Sequence, residues 1–102
     1  MTLKDLAQAI QQEFALHADP ATRVLDITSE AGELAKAVLK STQYGSRPFT
    51  VTDNFREELG DTLFALLVLC AETGVDPDEA LEQVRQKLRI RLQQKQDLGS
   101  GQ

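Results

Sequence analysis

Apolar residues recur at helical spacing along most of the chain, and the breaks in that pattern divide it into four helices. Leu3, Leu6, Ile10, Phe14 and Leu16 follow one another near this spacing behind Thr2, whose hydroxyl suits an N-cap, so a first helix is expected from Leu3 to about His17. Asp19-Pro20 ends it. A second helix is expected from Ala21 to Ser41, with Val24, Ile27, Leu34 and Val38 on its apolar stripe. Tyr44-Gly45 and Pro48 then mark a loop, in or beside which Arg47, Phe49 and Val51 lie. A third helix should start at Thr52 or Asp53 and run to Thr73, before the stop at Gly74. Asp76-Pro77-Asp78-Glu79 opens the fourth: an Asp N-cap, Pro at the first helical position and Glu placed to close a capping box. That helix continues through Leu81, Val84, Leu88 and Leu92 and is expected to fray into a Gly/Ser-containing tail. The pattern therefore predicts an all-α, four-helix bundle-like domain over residues 1–96 with a flexible tail over 97–102.

The second half of the third helix, Leu63 to Leu69, is apolar all round. A surface helix keeps a polar face, so this one is either wrapped by the other helices or buried between subunits. With only about four helices to wrap it, a homodimer sharing the third helix is expected, alone or as a dimer of dimers. The length of 102 residues agrees with one domain, and sparse aromatics beside abundant Ala, Leu, Glu, Gln, Lys and Arg agree with helices.

A net charge of −5 opposes attraction to phosphate backbones, so nucleic acid is not expected as a partner. It does not exclude phosphorylated small molecules, because metal ions can bridge carboxylates to phosphates. The longest uncharged stretch, Thr62 to Ala71, is about half of what spans a bilayer, and the first ten residues carry Lys4 and Asp5 rather than an unbroken apolar run. No membrane association is expected, and the chain reads as cytoplasmic. The lone Cys70, within the apolar run, reads as a buried, inert thiol.

Chemistry enters with four acids. Glu30 and Glu33 are three apart on the second helix, and Glu58 and Asp61 three apart on the third. Residues at that spacing have Cβ atoms roughly 5–6 Å apart, so two antiparallel helices can turn both pairs toward one point. Glu30 falls within its apolar stripe, three after Ile27 and four before Leu34, and Glu58 follows Phe55 by three. Acids are rarely buried alone, and two carboxylates about 4 Å apart repel by roughly 4 kcal/mol at an effective dielectric of 20. A cation must offset this, and no basic residue occupies a matching stripe position, although Lys36, Lys40 and Arg56 are near in sequence. Carboxylate oxygens suit Mg2+, with Mn2+ as a substitute, and Mg2+ characteristically shares a few carboxylates with waters and substrate phosphates. Either pair alone is an ordinary solvated helix face; the two together, each intruding on an apolar stripe, point to a metal site.

Read as Ser29-Glu30-Ala31-Gly32-Glu33-Leu34-Ala35-Lys36-Ala37 and Glu57-Glu58-Leu59-Gly60-Asp61-Thr62-Leu63-Phe64-Ala65-Leu66, the sequence resembles the MazG-like all-α nucleoside triphosphate pyrophosphohydrolases over nearly its whole length. The family pattern is Glu-x-x-Glu, a spacer, Glu-x-x-Asp, a long apolar helix and a basic final helix, and the order of parts agrees. The resemblance implies hydrolysis of a nucleoside or deoxynucleoside triphosphate to monophosphate and pyrophosphate, for housecleaning of nucleotide pools. It implies Mg2+ on Glu30, Glu33, Glu58 and Asp61; in the basic final helix Lys87 and Arg91, with Arg89 or Arg85 as substitutes, either face the polyphosphate or form a solvated face that matches the helix dipole. Lys36 and Arg47 are further substrate-binding candidates. Ser29 departs from it, standing where family members often carry another Glu.

His17 is expected to match the helix dipole at the end of the first helix, and its being the sole histidine excludes a ferritin-like di-iron bundle. The loop of Tyr44, Arg47 and Phe49 either closes over a nucleobase or phosphate or packs on the bundle. Two other readings stay open: a non-catalytic helical interaction module, which predicts no Mg2+ dependence, and a hydrolase of another phosphoanhydride such as a phosphoribosyl nucleotide.

Overall fold

Four helices make up the fold: α1 (Leu3–Phe14), α2 (Pro20–Ser41), α3 (Asp53–Thr73) and α4 (Pro77–Ser100). The structure, a computed structural model, describes residues 1–100, with side chains to Gln96. The start of the expected tail, Asp97, falls in the last turns of α4, and Gly101 and Gln102 lie outside the described residues.

Local chemistry sets the helix starts. The Thr2 hydroxyl accepts the Asp5 N–H at 3.0 Å, and the Asp5 carboxylate returns a bond to the Thr2 N–H at 3.2 Å. Asp19 caps α2 through the Thr22 N–H at 2.9 Å, and Thr52 caps α3 through the Phe55 N–H at 3.0 Å. One Asp76 oxygen accepts from the N–H groups of Asp78 and Glu79, capping α4. Asp78 reaches instead to α1, its two oxygens accepting from the Leu3 and Lys4 N–H groups at 3.3 and 3.0 Å. The beginnings of α1 and α4 are thereby held together.

The first helix is shorter than expected. Ala15 turns left-handed (φ 51°), its N–H and that of Leu16 closing back on Gln11 and Gln12, so α1 stops at Phe14. His17 therefore lies in the connecting loop, not at a helix terminus. The α3 stop is as expected: Gly74 sits at φ 75°, a conformation that glycine adopts without strain.

α2 and α1 both pack on α3, and α2 lies along it most extensively. The core is small residues at close approach: Ala7, Ala37, Ala65 and Val68, with Val68 fully buried. Phe14 meets Phe64 edge to face at 5.9 Å between ring centres. The buried stripe of α2 is rotated from the expected one. Val24 and Val38 stay exposed, while Arg23, Ile27, Glu30, Leu34, Ala37 and Ser41 turn inward. Two polar clasps fix this rotation: Arg23 to Glu72 at one end and, at the other, buried Ser41, whose hydroxyl donates to the Thr50 carbonyl and accepts the Thr50 N–H.

α4 departs from this body. Its packing partner is α1, and every described residue from Leu81 onward is exposed. The radius of gyration, 17.9 Å, exceeds the roughly 13 Å of a compact domain of about 100 residues. On α3, Leu63 (54% exposed) and Leu66 (42%) remain open, so the helices of one chain do not wrap the apolar run. These residues, with Leu3, Leu6 and Ile10 of α1 and Ala80, Leu81 and Val84 of α4, line a groove of about 670 Å3. No helix among the described residues is long and apolar enough to cross a membrane.

Candidate active site

On α3 the groove residues and the acids occupy opposite faces, because a helix advances about 100° per residue. Glu58, Thr62, Ala65 and Glu72 share the stripe that faces α2, and Glu30 faces it from the antiparallel helix. Glu30, Glu58 and Asp61 each bring one carboxylate oxygen to a common point, all within 4.8 Å of one another. Glu30 and Glu58 are half-buried and Asp61 is exposed, so the cluster opens to solvent on the Asp61 side.

The fourth expected acid lies at the rim. Glu33 is exposed and ion-paired with Lys36 at 3.6 Å, one turn along the same helix, rather than converging with the other three. Its charge still bears on both Glu30 and Glu58. Among the described residues no Lys, Arg or His forms an ion pair with Glu30, Glu58 or Asp61; Lys40 acts on Glu58 at longer range. The donor set fits a hard divalent cation, which takes oxygen ligands at about 2.0–2.6 Å and so gathers oxygens within about 4–5 Å of each other.

The electrostatics carry the same strain. Burial pushes the Glu58 carboxyl above the ordinary glutamate range, and Asp61, Glu33 and Glu57 add to the shift while Lys40 opposes it. Glu30 is raised as well, again first by burial and then by Asp61, Asp26, Glu58 and Glu33. A carboxyl with a raised folded pKa stabilises the fold below its unfolded pKa, about 4.3, and that contribution is lost as pH rises through the folded value. Glu72 works in the opposite sense. Hydrogen bonds from Arg23 hold it low, so its contribution is present above about pH 4.3 and lost as pH falls through its folded pKa. Metal-free protein should therefore lose thermal stability as pH rises from mild acid, and a cation on the acids should reverse the loss. Melts in EDTA and in Mg2+ check this: the Mg2+-induced gain in Tm should be larger at about pH 7.5 than at about pH 5. An equal or smaller gain at the higher pH contradicts it.

The basic candidates are dispersed. Lys36 stands beside the cluster on α2. Arg47 is engaged elsewhere: its Nε donates to the Ser41 carbonyl at 3.0 Å, fastening the loop to the end of α2. Tyr44, at left-handed φ 58°, is exposed, and Phe49 packs edge to face on Phe55 at 5.1 Å, the bundle-packing alternative for that residue. Lys87 and Arg91 are exposed on the part of α4 that does not pack on α2 or α3, so one chain does not bring them to the acids.

Farther along the same two stripes lies a feature that the sequence reading missed. Glu72, 3% exposed, receives the Arg23 guanidinium in a fork, Nε to Oε1 at 2.8 Å and Nη2 to Oε2 at 3.1 Å, and accepts the Ala18 N–H at 2.6 Å. Arg23, 14% exposed, also reaches Asp26 at 3.3 Å. Register contained the signal: Arg23 is seven residues before Glu30 and Glu72 fourteen after Glu58, which keeps each on its stripe.

The model of the MazG nucleotide pyrophosphohydrolase domain matches residues 18–95, from the loop that Glu72 fastens to the end of the described side chains of α4. The chain belongs to this family. The match spans both acid pairs, and family membership points to cleavage of a nucleotide phosphoanhydride. A relative in sequence is the uncharacterized protein YpjD of Bacillus subtilis (strain 168), 29% identical over an alignment of 97 residues, with 88% of this chain and 86% of the Bacillus protein covered. No solved structure matches the chain significantly.

Proposed function

We propose that this MazG-family chain hydrolyses a nucleoside or deoxynucleoside triphosphate to monophosphate and pyrophosphate, with Mg2+ held by Glu30, Glu58 and Asp61 and joined by Glu33. The observation that carries the reading is the convergence of three carboxylates within 4.8 Å, two of them half-buried. A divalent cation bound there would neutralise polyphosphate charge and acidify coordinated water. The residues themselves do the rest. Glu33, whose charge already bears on Glu30 and Glu58, would join the set on leaving Lys36, and Lys36 would then be free to meet a phosphate oxygen. One carboxylate of the set orients the water that attacks the α-phosphorus and takes its proton, and the pyrophosphate departs on the open side beside Asp61. Housecleaning of nucleotide pools in the cytoplasm is the role that this activity suits.

Purified protein given each of the eight common triphosphates with Mg2+ tests the reading by ion-exchange analysis of products. At least one should yield monophosphate and pyrophosphate in equal amounts. No turnover above blank, or orthophosphate alone, contradicts it.

The active form in this reading is a homodimer, or a dimer of dimers, in which a second copy covers the groove between α1, α3 and α4. Exposed Leu63, Leu66, Leu81 and Val84 support it, since contiguous apolar surface of this kind marks interfaces. Contacts of Lys87 and Arg91 with polyphosphate require this second copy, because α4 stands off the α2 and α3 face of its own chain. Leu63→Glu with Leu66→Glu is expected to halve the mass measured by light scattering while retaining helical circular dichroism. An unchanged mass contradicts the interface.

A further inference from the structure

Asp26 lies one helical turn before Glu30, on the side of the cluster away from Glu33. Residues at this spacing are surface neighbours, with Cβ atoms roughly 5–6 Å apart, and like charges there repel. An arginine would ordinarily cancel such an acid. Here Arg23 bonds to Asp26 at 3.3 Å through Nη1 alone, while its Nε and Nη2 are committed at 2.8 and 3.1 Å to Glu72, which is nearly fully buried. Glu72 is itself fixed by the Ala18 N–H, so the guanidinium is not free to turn. The three side chains sum to one negative charge, and the geometry leaves it on Asp26. Asp26 Oδ2 takes the arginine, whereas nothing among the described residues donates to Oδ1, and the side chain is 43% exposed.

We propose that Asp26 is a positioning residue of the site: clamped by Arg23 and left charged by Glu72, it places an additional carboxylate one helical turn from Glu30 that strengthens divalent-cation binding through its charge. This rests on the metal-site reading above. Arg23 and Glu72 serve here as holders of Asp26 and touch no substrate.

The test is Mn2+ binding to the full chain, by calorimetry and by the loss of the free-ion electron paramagnetic resonance signal. A unit charge about 7–8 Å from a divalent ion in a watery setting corresponds to roughly a 5–10-fold effect, so Asp26→Asn should raise the Mn2+ Kd by that factor. Asp26→Glu should restore affinity to near wild type, and Glu13→Gln, on an exposed position of α1, should leave it unchanged. The Asp26→Asn deficit should shrink between about 0.05 and 0.5 M KCl, since screening weakens a charge effect and would not move a packing effect. Wild-type binding with an Asp26→Asn Kd within twofold overturns the proposal and leaves the site standing. A deficit that ignores salt, or that Asp26→Glu fails to rescue, also overturns it. No Mn2+ binding by the wild type removes the metal site itself, and this inference with it.

Discussion

Glu58→Gln is expected to lower kcat by about a thousandfold or more while the protein keeps its helical circular dichroism and its oligomeric mass. The side chain keeps its shape, so packing survives. What is lost is one anionic oxygen of the three that converge, and with it the several kcal/mol that metal and carboxylate together supply in phosphoryl transfer, about 1.4 kcal/mol for each factor of ten. Because Glu58 is half-buried and feels the negative charge of Asp61, Glu33 and Glu57, the neutral amide also removes repulsion. Metal-free Glu58→Gln should thus melt at or above the wild-type Tm at neutral pH and gain less from Mg2+. Activity lost through unfolding would show as a lowered Tm, and activity within tenfold of wild type would remove Glu58 from the site.

The largest effect on stability is expected at Glu72. Glu72→Ala leaves the Arg23 guanidinium, 14% exposed, with only its single 3.3 Å bond to Asp26 and leaves the Ala18 N–H without its acceptor. Removing one partner of a buried pair costs about 3–5 kcal/mol, and the residual exposure of Arg23 places this case near 3. In a domain of this size that corresponds to a fall in Tm on the order of 15 °C, measured at fixed protein concentration because assembly adds to apparent stability. Arg23→Met combined with Glu72→Leu should recover most of the loss, since an apolar pair leaves no orphaned charge. A fall of less than about 3 °C in Glu72→Ala would show that the clasp does not hold α2 on α3.

The helix starts were legible because their signals are local: Thr2, Asp19, Thr52 and Asp76 each cap a helix within three residues of themselves. The convergence of Glu30, Glu58 and Asp61 had another kind of signal, the intrusion of Glu30 and Glu58 into apolar stripes with Asp61 three residues beyond Glu58. Other features escaped. The end of α1 at Ala15 has no glycine or asparagine to announce it, and alanine adopts the left-handed turn there because Gln11 and Gln12 carbonyls capture the chain. The rotation of α2 depends on Arg23 meeting Glu72 across 49 positions, which no window of local pattern contains. Glu33 was grouped with Glu30 by spacing and by the resemblance, yet Lys36 at the same spacing on its other side competes for it. The apolar α3 run was legible as an unmet demand for burial, and α1–α3 leave that demand unmet.

A structure with Mn2+ tests the central claim most directly, because manganese is located by its anomalous scattering independently of any model of the side chains. An anomalous peak is expected between α2 and α3, within coordination distance of carboxylate oxygens from Glu30, Glu58 and Asp61, and absent from crystals of Asp61→Asn. Manganese bound elsewhere, with those three side chains free of metal at saturating concentration, would contradict the account.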